Sequence, residues 1–201
     1  MKIYTRSGDE GQTSLIFGRR IDKDALRVQC YGKVDEANST IGLALALLPS
    51  GTVTREKDLS FADVMHMGER VQRDLFDVGR DLATPEEKRE GFYVSQEDVN
   101  LLERMIDVLD AENPALTRFV LPGGHPAAAA FHAARTVVRE AERHVVTLQK
   151  TEVVQPYLRK YLNRLSDLLF VMARVVNTRT TTAEPGVDFD APKPNPFAKE
   201  E

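Results

Sequence analysis

Arg135, Arg139 and Arg143 recur every four residues in the run FHAARTVVREAERHVV. On an α-helix such positions share one face, so the three guanidinium groups form a single column. Stacking like charges this way costs about 0.2–0.5 kcal/mol per pair. A column of this kind suits an anion, either a row of carboxylates or a phosphate chain. The opposite face of the same stretch, Phe131, Ala134, Val138, Ala141, Val145 and Leu148, is apolar at helical spacing and must pack inward. Glu140 and Glu142 stand in the same run, which leaves a second reading open: a solvated surface laced by local ion pairs.

A second segment with chemical potential is Thr5-Arg6-Ser7-Gly8-Asp9-Glu10-Gly11-Gln12-Thr13-Ser14. Gly8 and Gly11 let the backbone turn tightly and bring N–H groups close to a ligand. Hydroxyls on Thr5, Ser7, Thr13 and Ser14 add neutral donors, and Arg6 adds charge. That set suits a phosphate chain or its metal. No GxxxxGK[ST] loop occurs in the chain, and a plain sequence of turns remains the alternative.

These groups sit in a chain of 201 residues, long enough for one domain with a substantial core. A net charge of −4 argues against a nucleic-acid surface or an anionic-membrane binder. The single cysteine, Cys30, excludes an internal disulfide and a cysteine-based zinc site, and fits a reducing compartment. His66, His125, His132 and His144 show no metal-ligand spacing. The leading MKIYTRSGDEG lacks an apolar signal region, and no run approaches the roughly 20 apolar residues of a membrane span. The expectation is a soluble, cytoplasmic protein with no nucleic-acid or membrane partner.

Positioning falls to helices. Residues 1–34 read as a loop-rich arm with extended pieces at 2–5 and 13–17. From Asp35, Ala37, Ile41, Leu45 and Leu48 repeat at helical spacing until Pro49 and Gly51. Further helices are predicted over 61–82, from Ser95 (with Asp98 as its capping partner) through Leu109, from Pro126 to about Gln149, and over 155–177. Residues 119–124, FVLPGG, read as a strand-like piece feeding a sharp turn. The predicted fold is all-α, a five-helix antiparallel bundle spanning 1–177 as one domain, with 178–201 a mobile tail.

Taken in order, YTRSGDEGQTSL, Lys23-Asp24, YGKVDEANSTIG, FVLPGGHPAAAAFHAAR, VVREAER and YLNRLSDLLFVMARVVN resemble the corrinoid adenosyltransferase family. The closer likeness is to the trimeric ATP:cob(I)alamin adenosyltransferases of the propanediol-utilisation type, over about 1–177. The resemblance implies transfer of the 5′-deoxyadenosyl group of ATP, with Mg²⁺, to the cobalt of reduced cobalamin, giving adenosylcobalamin and triphosphate. It assigns Thr5, Arg6, Ser7, Gly8, Asp9, Gly11, Thr13, Ser14 and Lys23 to an ATP-wrapping arm. Arg139, Glu142, Arg143 and Asn163 become nucleotide contacts. It pairs Arg135 with Asp35 across a subunit boundary, hence a homotrimer, and sets Phe119 beneath the corrin ring. Without it, Asp35 reads as a helix N-terminal carboxylate favoured by the macrodipole, and Phe119 as a core residue. A reductase and an adenosylcobalamin-dependent enzyme are the implied partners.

The chain departs from the family at three points. Glu140 stands where RRAER has its second arginine, Glu10 where lysine is frequent, and His125 where a small serine follows PGG. A carboxylate facing phosphate would weaken ATP binding, so the alternative function is an ATP- and corrinoid-binding delivery protein with little transfer activity.

Overall fold

The computed structural model describes residues 2–49 and 60–197. Met1, residues 50–59 and residues 198–201 lie outside that description, and with them the helix-stopping role expected of Gly51 and the end of the tail. An antiparallel hairpin, β1 (Gln12–Ser14) and β2 (Arg20–Asp22), precedes five helices. These are α1 (Leu26–Ala46), α2 (Ala62–Ala83), α3 (Gln96–Asp110), α4 (Pro126–Leu148) and α5 (Pro156–Arg179). The all-α bundle with a loop-rich arm is therefore present.

Helix α4 is central, packed on α1 and α5, while α2 covers α1 and α3 covers α5. Its apolar face, Phe131, Ala134, Val138, Ala141, Val145 and Leu148, is fully buried, as its spacing requires. Ile41, Leu75, Leu82, Leu162, Leu165 and Leu169 close the core around it. Burying each such large side chain is worth about 1.5–3 kcal/mol, which outweighs the cost of holding three arginines on the other edge.

Cross-helix contacts give the directions. Arg27, near the start of α1, reaches Glu152 beyond the end of α4 at 2.8 Å, so these helices are antiparallel. Helices α4 and α5 are antiparallel too, since Glu142 meets Asn163 and the backbone N–H of His125 meets Asn177. By contrast α3 and α5 run parallel, with Glu103 against Arg164 and Asp110 against Arg174. The long segment 111–125 between α3 and α4 permits this, and it carries Phe119. At the far end of α5, Arg179 joins Asp63 of α2 and Glu112 after α3, both at 2.6 Å.

Two expectations need correction. Helix α1 begins at Leu26, not Asp35, because Cys30 and Val34 continue the stripe of Ala37 and Ile41 and are buried with it. No side chain caps its start, so the sequence carries no start signal there. Asp35 consequently lies in mid-helix, where the macrodipole no longer acts, and the helix-terminus reading of it fails. The other concerns the tail. Residues 185–187 lie along 119–121: the Leu121 N–H donates to Pro185 at 2.9 Å, and that of Val187 to Phe119 at 2.6 Å. Arg174 holds Glu184 at 2.9 Å. A tail free from residue 178 onward would make none of these contacts; helix α5 itself continues to Arg179. Among the described residues no helix is long and apolar enough to cross a membrane.

Candidate active site

Arg135 is half-buried on α4, while Arg139 and Arg143 are exposed one and two turns further on. At 1.5 Å per residue the three span about 12 Å. None of them makes an ion pair or side-chain hydrogen bond among the described residues, and the Nε of Arg135 is buried without a partner. Burial, and then the positive charge of Arg139, push the ionisation of Arg135 below its usual range. The local carboxylates do not relieve this. Glu140 turns to α1 and meets Lys33 at 3.1 Å, and Glu142 turns to α5 and accepts from Asn163 at 3.1 Å. The laced-surface reading thus lacks its counter-ions, and the column is left as an electropositive edge.

Asn163 continues the contact, accepting from Arg164 at 2.9 Å, and Arg164 meets Glu103 at 2.8 Å. These groups border a cavity of about 280 Å³ between α3, α4 and α5, to which Arg159 and Lys160 add positive charge. Glu142 and Asn163 therefore sit beside the arginine column, at the mouth of a small polar cavity.

The arm is a set of turns closed by its hairpin. Gly11 has φ +81°, the left-handed region open to glycine, and Arg6 adopts φ +61°. The Thr5 and Ser7 hydroxyls are 2.8 Å apart. The Lys23 backbone N–H donates to Gly11 at 2.9 Å, which brings the Lys23 ammonium against Gly8, where a Cβ would meet it at 3.1 Å. Arg20, absent from the sequence reading, organises the whole: it donates to the Ser7 carbonyl at 2.8 Å and the Ser14 hydroxyl at 3.0 Å. Its only sequence signal is a cation in a short polar strand. Asp9 and Glu10 are exposed in the turn. Among the described residues no hydrogen bond or ion pair joins the arm to Arg135, Arg139 or Arg143. Asp35 is exposed on α1, beside a groove of about 310 Å³ shared with α2 and bordered by Phe76. It likewise has no side-chain hydrogen bond or ion pair among the described residues.

Phe119 is 74% exposed, which excludes the core reading. Its ring stands edge-on to Phe189 at 6.1 Å, a residue missed because it lies in the segment read as tail. The turn that follows is locked by Asn177, which accepts from the His125 N–H at 2.9 Å and donates to the Gly123 carbonyl at 3.2 Å. Gly124 has φ +92°, and a Cβ there would land on the Asn177 amide. His125 performs the helix-capping task of a serine, its Nδ1 accepting from Ala127 at 3.2 Å. His132, also missed, is buried with both ring nitrogens unpartnered, edge-on to Phe170. Desolvation and then Arg135 lower its pKa, against the opposing charge of Glu184.

Residues 3–176 match the sequence profile of the cobalamin adenosyltransferase family. A corrinoid adenosyltransferase of Bacillus subtilis is 48% identical over 180 residues, which cover 90% of this chain and 89% of that protein. One from Citrobacter freundii is 40% identical, over 88% and 96%. In structure, a phenylalanine-to-histidine variant of the PduO-type ATP:corrinoid adenosyltransferase from Lactobacillus reuteri, complexed with cobalamin and ATP, superposes with a TM-score of 0.85. It is 37% identical, with 94% of this chain and 97% of that one covered. An arginine-to-lysine variant of that enzyme, complexed with ATP, gives a TM-score of 0.82 at 36% identity, over 92% and 100%. With its exposed aromatic pair, its uncompensated arginine edge and likeness along almost its whole length, the chain belongs to the corrinoid adenosyltransferase family.

Proposed function

We propose that this protein transfers the 5′-deoxyadenosyl group of ATP to the cobalt of reduced cobalamin. The Co(I) electron pair forms the Co–C bond at C5′, the C5′–O bond breaks, and its electrons leave with triphosphate. The observation that carries this reading is the column Arg135–Arg139–Arg143, partly desolvated and without counter-ions. Cations already fixed where negative charge grows on a leaving group stabilise the transition state without reorganising. The remaining work is alignment, which holds nucleophile and carbon in line at a saving of several kcal/mol.

In this arrangement Thr5, Arg6, Ser7, Gly8, Asp9, Gly11, Thr13, Ser14 and Lys23 wrap the phosphates, and Glu142 with Asn163 holds the nucleoside end. Phe119 lies under the corrin ring. By excluding a lower ligand it leaves an axial cobalt orbital low and empty, which eases reduction to Co(I). Mg²⁺ enters with the triphosphate, whose oxygens suit a hard cation; the hydroxyl-rich arm is the part of the chain that would receive it. In the proposed assembly a homotrimer supplies each site from two neighbours, with Asp35 of one against Arg135 of the next. The support within one protomer is that arm and column share no direct bond and that Arg135 keeps a buried, unpartnered Nε. Delivery to an adenosylcobalamin-dependent enzyme, and a reductase upstream, follow from the chemistry of product and substrate. Glu140, which motivated the delivery-protein reading, is engaged by Lys33, so position 140 no longer favours that alternative.

The test is direct. Purified protein with ATP, Mg²⁺, cobalamin and a chemical reductant is expected to consume Co(I) absorbance and form a light-sensitive Co–C product. Arg139→Ala should lower kcat by about 10²-fold, as for loss of one donor to a developing anion, with helicity unchanged. No product from the wild type, or an unaltered kcat in the variant, would refute the reading.

A further inference from the structure

In extended chain, successive side chains point to opposite faces. Within the ribbon formed by 119–121 and 185–187, Phe119 stands outward beside Phe189. Its neighbours Arg118 and Val120 instead line an open cavity of about 590 Å³, together with Thr178, Thr182 and Glu184. Arg174 runs along the wall with its charge already engaged, donating to Glu184 and to the Pro114 carbonyl, each at 2.9 Å. Arg118 differs. Its stem packs over Gly186, and its guanidinium has no ion pair or side-chain hydrogen bond among the described residues. The second oxygen of Glu184, Oε1, is buried and unpartnered. A free cation, an orphaned acceptor and threonine hydroxyls around one hollow describe a site for a ligand carrying both a phosphate and hydrogen-bond donors.

We propose that this cavity receives the nucleotide arm of the corrinoid once Phe119 has displaced its base from cobalt; the inference rests on the transferase reading above. A complete corrinoid carries its lower base on a linker of amide, phosphodiester and ribose. When an aromatic ring occupies the lower face, that arm must be placed elsewhere. Arg118 meets the phosphodiester in a charge-assisted contact. Glu184 Oε1 accepts from the linker amide or a ribose hydroxyl, which satisfies an oxygen otherwise costly to bury. A linker of about nine bonds spans roughly 10 Å at peptide-like extension, enough to carry the phosphodiester past the edge of the ring that Phe119 faces. The base then stays bound to the protein, where it cannot return to the metal.

The experiment compares cobalamin with cobinamide, which has the same ring but lacks the nucleotide arm. Kd values of both Co(II) corrinoids are measured by optical titration with ATP present, alongside conversion rates. Removing the base from cobalt burdens cobalamin alone, so the informative quantity is each corrinoid's variant-to-wild-type ratio. Arg118→Gln is expected to raise the cobalamin Kd about tenfold and the cobinamide Kd less than twofold, with Arg118→Lys recovering part of the loss. Thr182→Val should show the same selectivity more weakly. Equal losses for both corrinoids, or no loss for either, would overturn the subsite while leaving the transferase reading intact. Conversion of neither corrinoid by the wild type would refute the transferase reading, and this one with it.

Discussion

At the scale of single residues, the informative feature is which charges are left without partners. Glu140 looks in sequence like an error beside a phosphate site. In the fold it is one half of a cross-helix pair with Lys33, which also holds Glu36 at 2.8 Å. Such exposed pairs contribute little to stability, so the consequence belongs to the electric field at the column. Lys33→Met should therefore raise the KM for ATP several-fold with little change in kcat or melting temperature. Adding Glu140→Gln should restore KM, because a lone carboxylate near Arg139 acts with about 1 kcal/mol at close range in a solvated setting. Steady-state kinetics on the single and double variants check this; a KM unmoved by Lys33→Met would show that Glu140 is remote from the phosphates. None of this pairing is readable from the chain, since Lys33 and Glu140 are far apart in sequence and meet only because α1 packs antiparallel on α4.

Among elements, the connection from α3 to α4 contributes most to the proposed corrinoid side of the site. It presents Phe119 outward, turns at Gly123-Gly124, and enters α4 through the His125 cap. Gly124→Ala introduces a Cβ at positive φ, about 1–2 kcal/mol in itself, and forces the Asn177 amide away. The expected result is a loss of at least about 2 kcal/mol in denaturant unfolding, with weakened corrinoid binding and nearly unchanged ATP binding. Equal loss of both ligands would indicate a global defect. The helical elements themselves were largely legible, since a 3.6-residue apolar period states which face is buried whatever it packs against. The start of α1 was not, because it lacks a cap and its first turns read as arm. The 119–121 and 185–187 pairing was not either: single-residue bridges between distant segments carry no local period.

For the molecule as a whole, the proposed homotrimer, with arm and column drawn from neighbouring subunits, predicts how activity is shared. An arm-defective variant, Arg6→Ala with Lys23→Ala, and a column-defective one, Arg139→Ala, should each be nearly inactive. Co-refolded in equal amounts as cyclic trimers, they should recover about a quarter of wild-type sites, because each site draws one half from each neighbour. No recovery in trimers shown to be mixed would mean that each protomer builds its own site. The pH response is also a property of the assembled core. Folding depresses the pKa of buried His132, through desolvation and then Arg135, against the pull of Glu184. Its neutral form therefore stabilises the fold fully above the ordinary value near 6.5, and that contribution fades as pH falls through the depressed folded value. Thermal unfolding between pH 7 and 5 should show this slope, and His132→Phe should flatten it. An unchanged slope would mean that other groups govern the window.

By itself the sequence determined the bundle, the buried face of α4 and the family, because helical periodicity and ordered motifs are local properties that survive any packing. It also named the arginines and the arm, since charge and glycine spacing are written directly in the chain. Only the tertiary structure decided where Glu140 spends its charge, that Asp35 lies in mid-helix, that Phe119 faces solvent with Phe189 at its side, and that a cavity opens behind it. Those facts depend on which surfaces meet, and partners far apart in the chain are chosen by packing of the whole core.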